Sequence, residues 1–295
     1  MGRGTIRIGT SGWAYKGWRG RFYPKGLVQA KELAYIAASL PTVEVNGTFY
    51  SLTTPAACER WRAQVPPDFS FAVKGSRYLT HMLKLGNFAG ALANFFASGI
   101  LRLGAQMTCV LWQLPPMLSF RRDKVLPFFE ALPRDLAAAE RWARRHDERL
   151  DGRAAVTVPD GRHQALRHAV EVRHPSWLED EALRLLEDQG LALVAADTAG
   201  RFPFSLQRTA DFAYVRLHGS QKLYSSQYTD PELADWSVTL SGWANAGADV
   251  YVYFDNDAEA FAPVDAIRLQ AAIAALKPVT PSKRRRSAGG RGATP

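Results

Sequence analysis

The sequence predicts an α/β protein: a single (β/α)8 TIM barrel with a long connection between strands four and five and a disordered basic C-terminal tail. The chain has 295 residues, of which 47% are hydrophobic, and this suits one large barrel. Short apolar runs that end in a charged or amide residue alternate with helix-like segments, as in parallel sheets with right-handed crossovers. An open doubly wound sheet is the alternative, but the sequence contains no G-x-G-x-x-G loop.

The strands are predicted from runs of apolar, β-branched and aromatic residues. Those runs cover 5–9, 42–46, 69–73, 107–112, 168–172, 191–196, 212–217 and 249–254. The last run must pair with the first to close the barrel. Helices are predicted over 30–40, 55–65, 88–101, 121–132, 136–147, 178–189, 231–246 and 258–276. Pro55 suits the first turn of its helix, and Gly190 is a natural helix end.

Composition indicates a cytoplasmic protein with no membrane partner. No apolar stretch is long enough to span a bilayer, and the N-terminus lacks the apolar core of a signal peptide. Cys58 and Cys109 are predicted to be reduced core residues rather than parts of a disulfide framework. Residues 1–277 are therefore predicted to form one barrel domain.

The C-terminal tail, residues 278–295, is predicted to be disordered because it is rich in Pro, Gly, Ser and Arg and has no periodicity. The net charge of the chain is +9, and residues 283–286 and Arg291 supply five of those charges. The favoured interpretation is a solubilising tail. The alternative is an electrostatic arm that binds nucleic acid.

Polar residues at the predicted strand ends are expected to meet in one pocket, because the carboxyl ends of the strands form the active-site face of a TIM barrel. These residues are Glu44, Asn46, Lys74, Gln113, Glu171, Arg173, Asp197, Arg216, His218, Asp255 and Asn256.

Proton transfer and anion binding are the predicted tasks of this set. The candidates for acid–base catalysis are Glu44, Glu171, Asp197 and His218. Lys74 and Arg173 are predicted to hold a phosphate or carboxylate of the substrate. A Schiff base on Lys74 is an alternative if that lysine is desolvated.

The remaining candidates are predicted to bind substrate. Ser11 and Trp13 lie in a loop of small and aromatic residues after the first strand, where a ligand can approach the backbone. For Arg216 a buried ion pair is an equal alternative to substrate binding. The other predicted substrate-binding residues are Asn46, Gln113, His174, Asp255 and Asn256.

Metal binding is not predicted. The sequence has six histidines and neither an H-E-x-x-H motif nor paired C-x-x-C motifs. No cofactor is predicted. A single Mg²⁺ or Mn²⁺ ion held by Glu44, Glu171, Asp197 or Asp255 is the alternative.

Seven motifs in order resemble the YecE-like family, the domain of unknown function seventy-two. They are IGTSGW at 8–13, EVNGTFY at 44–50, FAVK at 71–74, WQLPP at 112–116, EVRHPSW at 171–177, VRLHG at 215–219 and YVYFDND at 251–257. The resemblance covers about 5–276. It implies a TIM-barrel fold and no particular reaction, and a looser likeness in fold to endonuclease barrels carries little weight for function.

The sequence thus predicts an enzyme, a hydrolase, lyase or isomerase, that acts on a phosphorylated or other anionic small molecule. The alternatives are a protein that binds or processes nucleic acid and a barrel that binds a ligand without catalysis.

Overall fold

Eight parallel strands close into a barrel in the order β1 to β8 in the computed structural model, which describes residues 2–276. β8 pairs in parallel with β1, from Ile6 opposite Val250 to Thr10 opposite Phe254, so the predicted closure is confirmed. The predicted tail, 278–295, lies outside the described residues. The strands are β1 Ile6–Ser11, β2 Thr42–Val45, β3 Ser70–Lys74, β4 Met107–Gln113, β5 Arg167–Glu171, β6 Ala192–Asp197, β7 Phe212–Leu217 and β8 Asp249–Phe254.

Helices surround the barrel at most of the predicted places. Pro55 begins its helix and Gly190 follows the end of another, where its φ of +57° suits a residue without a Cβ. The connection between β6 and β7, residues 198–211, contains no helix. The α-helices are α1 Glu32–Ala37, α2 Gly47–Tyr50, α3 Pro55–Arg62, α4 Ala89–Ala97, α5 Arg122–Ala131, α6 Leu136–Ala143, α7 Asp180–Asp188, α8 Asp230–Asn245 and α9 Phe261–Ala275.

Side chains along each strand point alternately into the barrel and outward to the helices. The outward residues, such as Val73, Val170 and Val252, belong to the larger core between sheet and helices. This alternation decides which strand-end residues can reach a pocket at the barrel mouth. The interior is filled by Ala72, Cys109, Leu111, Ala169, Ala192, Val194, Ala196, Phe212, Tyr214, Tyr251 and Tyr253.

Both cysteines, Cys58 and Cys109, are buried free thiols. Within residues 2–276, none of the helices has the length and apolar character needed to cross a membrane.

Candidate active site

A cavity of about 800 Å³ opens at the carboxyl ends of the strands, and we refer to it as the pocket. Its size is in the range of small-molecule sites. Six of the predicted site residues line it: Trp13, Asn46, Lys74, Gln113, Arg173 and Asp255. Its other polar or aromatic lining residues include Tyr15, Phe49, Tyr50, Trp61, Arg77, His81, Tyr224 and Asp257.

One side of the pocket carries three cationic side chains, Lys74, Arg77 and Arg173, which we call the cationic wall. Arg173 is paired, because its Nη2 lies 2.9 Å from Oε1 of Glu171. The side chains of Lys74 and Arg77 form neither an ion pair nor a hydrogen bond with any residue between 2 and 276. Arg77 therefore presents to the pocket a positive charge that this part of the protein does not neutralise.

The protonation state of His81 depends on the positive charge of the cationic wall. The residue lies in a single turn of π-helix, Tyr78–Met82, and its ring packs edge-to-face on Phe49 with centroids 5.2 Å apart. Burial, together with the charges of the cationic wall, lowers the pKa of the imidazole to about 4. His81 is consequently neutral at physiological pH and does not add to the charge of the wall.

Two carboxyl groups at the end of β8, Asp255 and Asp257, face the same pocket. Burial raises the pKa of Asp255, but the positive charge of Arg216 and a hydrogen bond from His218 outweigh it and lower this pKa to about 2. Burial raises the pKa of Asp257, and the negative charge of Asp255 raises it further, to about 8. Oδ1 of Asp257 is buried and has no hydrogen-bond partner among the described residues.

Beneath the pocket lies a buried ionic cluster, consisting of Ser11, Glu44, Glu171, Arg216 and His218 with Asp255 at its upper edge. Its centre is the guanidinium of Arg216, which is fully buried. Nη1 donates to Oε2 of Glu171 at 2.7 Å, and Nη2 lies 2.8 Å from Oε1 of Glu44 and 3.0 Å from Oδ2 of Asp255. Nη2 also lies 2.7 Å from Oγ of Ser11.

These contacts correct the prediction that Arg216 binds substrate. Its guanidinium is enclosed by three carboxylates, so the alternative, a buried ion pair, is what the structure shows. The same cluster keeps its carboxylates ionised. Burial raises the pKa of Glu171, yet Arg216 and Arg173 hold it well below its usual range.

The residues predicted to transfer protons do not line the pocket. Glu44, Glu171 and His218 belong to the buried ionic cluster, with side chains at most 1% exposed. Oε2 of Glu44 accepts a hydrogen bond from the Tyr214 hydroxyl at 2.6 Å. These side chains therefore hold the floor of the pocket in place. Ser11, which is predicted to bind substrate, also belongs to this buried cluster, where its hydroxyl donates a hydrogen bond to Glu44.

Three further predicted site residues, Asp197, Asn256 and His174, do not line the pocket. Asp197 accepts a hydrogen bond from Tyr228 at 2.8 Å and lines a separate surface cavity. The amide of Asn256 donates to Oδ2 of Asp265 at 2.9 Å. His174 caps the short helical turn after β5 through its Nδ1. Asp197 follows the inward-facing Ala196 in β6, so alternation along the strand turns its side chain outward.

Three pocket residues, His81, Tyr224 and Asp257, are absent from the site predicted from the sequence. For Asp257 a signal existed, because it lies two residues after Asp255 and so shares its side of the chain. For His81 and Tyr224 no comparable signal existed, since both lie on connecting segments whose course depends on tertiary packing.

Residues 2–276 contain no preformed metal site. Across residues 2–276 no group of three or more His, Cys, Asp or Glu side chains is placed to hold an ion. The guanidinium of Arg216 already forms ion pairs with three of the candidate metal ligands, Glu44, Glu171 and Asp255. This arrangement of donors favours a planar cation over Mg²⁺ or Mn²⁺.

A closed (β/α)8 barrel with a charged pocket at its carboxyl face defines a TIM-barrel protein whose pocket lies where enzymes of this fold carry their active sites. The profile of the family described as "Protein of unknown function DUF72" matches residues 7–287, and the chain belongs to this family.

Relatives of known sequence or structure agree with this assignment. The chain is 23% identical over 289 residues to UPF0759 protein YunF of Bacillus subtilis, covering 85% of this chain and 89% of YunF. A DUF72 family protein of Thermotoga maritima superposes with a TM-score of 0.72 at 24% identity, covering 92% of this chain and 99% of that one. A DUF72 family protein of Enterococcus faecalis superposes with a TM-score of 0.69 at 17% identity, covering 92% of this chain and 97% of that one. At these identities the structures establish the shared fold alone.

Proposed function

We propose that the protein is an enzyme that binds a small phosphorylated or carboxylated molecule in the pocket and transfers a proton to or from it through Asp257. Its reaction class is that of a hydrolase, lyase or isomerase. The observation that carries this proposal is the cationic wall, which faces a carboxyl group whose pKa is near neutrality.

The cationic wall supports the anionic character of the substrate. Arg77 and Lys74 border the pocket, and residues 2–276 supply no counter-ion for either side chain. Arginine offers a planar fork to phosphate or carboxylate oxygens, and the amine of Lys74 adds a hydrogen-bond donor. An anion bound beside Arg77 would supply the negative counter-charge that this guanidinium lacks.

Asp257 supports the proton transfer. A group is an efficient general acid or base when its pKa lies near the working pH, and the pKa of Asp257 is raised to about 8. Asp255 stays ionised beside it. The two carboxyl groups therefore have different roles: Asp255 keeps a negative charge, and Asp257 exchanges protons.

Calorimetric titration with inorganic phosphate and with malonate tests the anion site. We expect Arg77→Ala to weaken the binding of at least one of them about tenfold, which is about 1.4 kcal/mol. Arg60→Ala removes an exposed charge of α3 that does not line the pocket, and it should leave the affinity unchanged. Equal affinities of the protein and Arg77→Ala, or no binding, would contradict the proposal.

The proton transfer is tested separately. A mixture of phosphorylated sugars and small carboxylic acids is incubated with the protein in D2O, and deuterium uptake or conversion is followed by mass spectrometry. We expect turnover that Asp257→Asn lowers by about 10²- to 10⁴-fold, the usual contribution of a general acid or base.

A further inference from the structure

We infer that Lys74 is a nucleophile and that the anionic substrate of the pocket is an aldehyde or ketone, which Lys74 binds covalently as an imine. This inference rests on the proposed function and specifies the substrate class: a carbonyl compound that also carries a phosphate or carboxylate.

The placement of Lys74 is that of a reactive group rather than of a surface lysine. It is the last residue of β3 and is only 8% exposed, yet it borders the pocket. Its Nζ lies 4.6 Å from the centroid of the Phe49 ring. No carboxylate among residues 2–276 pairs with this amine. A buried ammonium without an ion pair is costly, whereas a neutral amine at the same place is not.

The backbone around Lys74 is held firmly. Its carbonyl accepts a hydrogen bond from Oγ1 of Thr48 at 2.7 Å, and the next amide, that of Gly75, donates to the Leu111 carbonyl at 2.8 Å. A Cβ on Gly75 would lie 2.3 Å from the Trp112 ring, so only glycine permits this close approach. The amine is thus carried on a fixed strand end, as a covalent catalyst requires.

The surroundings favour the neutral amine. Burial lowers the pKa of Lys74, and the positive charge of Arg216 beneath it lowers the pKa further. Glu44, Glu171 and Asp255 act in the opposite direction, but all three carboxylates are paired with Arg216. Desolvation and a neighbouring cation are the usual means of activating a lysine for attack on a carbonyl.

The chemistry needs no external oxidant or reductant. The lone pair of Nζ forms a bond to the carbonyl carbon, and the π electrons move to oxygen, which takes a proton as nitrogen loses one. The resulting hydroxyl leaves as water after a second proton arrives, and a C=N⁺ bond forms. Asp257, with its pKa raised to about 8, can supply that second proton. Arg77 and Arg173 would hold the anionic end.

Borohydride trapping tests the inference. The full chain is incubated at pH 7.5 with glycolaldehyde phosphate, or with the neutral aldehyde glycolaldehyde, and reduced with sodium borohydride. Hydride addition converts an imine into a stable secondary amine, which peptide mass spectrometry locates. We expect labelling of Lys74 to exceed that of the exposed Lys25 and Lys31, because burial and the charge of Arg216 lower the pKa of Lys74 and so raise the fraction of its amine that is neutral.

Two comparisons make the outcome decisive. Glycolaldehyde phosphate should label Lys74 faster than glycolaldehyde does, and Arg77→Ala should remove that difference. Lys74→Met should abolish the labelled peptide without altering labelling at Lys25. Labelling spread evenly over Lys25, Lys31 and Lys74 would overturn the inference.

The two proposals fail in different ways. Phosphate or malonate binding without preferential labelling of Lys74 would overturn the imine and leave the anion site standing. Preferential labelling of Lys74 at equal rates by both aldehydes would keep the nucleophile and overturn the anionic class of the substrate.

Discussion

Asp255 and Asp257 are separated by one residue and line the same pocket, yet their protons behave in opposite ways. Arg216 and His218 hold the pKa of Asp255 at about 2, whereas burial and the charge of Asp255 raise that of Asp257 to about 8. One carboxyl is therefore ionised and its neighbour protonated at physiological pH. Such a separation of two pKa values by their surroundings is what acid–base sites require.

The raised pKa of Asp257 predicts a pH-dependent effect of Asp257→Asn on stability. The folded protein keeps this proton up to about pH 8, whereas the unfolded chain releases it near pH 4. Between those values the folded state binds more protons, so the free energy of unfolding falls as pH rises.

Asparagine cannot ionise, so Asp257→Asn should match the protein near pH 4 and exceed its free energy of unfolding above pH 8. We expect a gain of about 1–3 kcal/mol, less than the full linkage because the side chain is partly exposed. Urea denaturation at both pH values measures it. Asp68→Asn, at an exposed position, is the matched control. A gain that does not depend on pH would contradict the assignment.

Arg216 is predicted to be essential for stability. Arg216→Met leaves Glu44, Glu171 and Asp255 buried without their common cation, and we expect a loss of about 3–5 kcal/mol in the free energy of unfolding at pH 7. Adding Glu44→Gln, Glu171→Gln and Asp255→Asn should recover part of that loss. A loss below about 1 kcal/mol, the effect expected of a surface pair, would show that the cluster is not desolvated.

His81 is predicted to sense an anion in the pocket. Its pKa is about 4 partly because of the cationic wall, so a bound anion should raise it, by about one unit. NMR titration of the imidazole with and without inorganic phosphate measures this change. His163, which is exposed and outside the pocket, serves as the control. An unchanged curve for His81 at saturating phosphate would argue against binding at the wall.

The barrel was predictable from the sequence because each strand has its own local signal. Runs such as 212–217 and 249–254 coincide with β7 and β8, and alternation along them places Arg216 and Asp255 inside. The same alternation applied to β6 would have shown that Asp197 points outward. It could not have shown that Arg216 joins three strands into one cluster, because side-chain pairing across a barrel depends on tertiary geometry.

The site was less predictable for a physical reason. Residue type does not show whether a carboxylate is paired or free, so the sequence predicts Glu44 and Glu171 as catalytic groups, whereas the structure pairs both with Arg216. The unusual protonation of Asp257 arises from burial and from the charge of its neighbour. Neither property can be read from residue types alone.

Anomalous diffraction from a crystal soaked in selenate tests the central claim most directly, because selenium marks the position of a bound tetrahedral anion. We predict a peak in the pocket within hydrogen-bonding distance of Lys74, Arg77 and Arg173, and the loss of this peak in Arg77→Ala. A pocket without a peak at saturating selenate, or a metal ion held there by histidines, would contradict it.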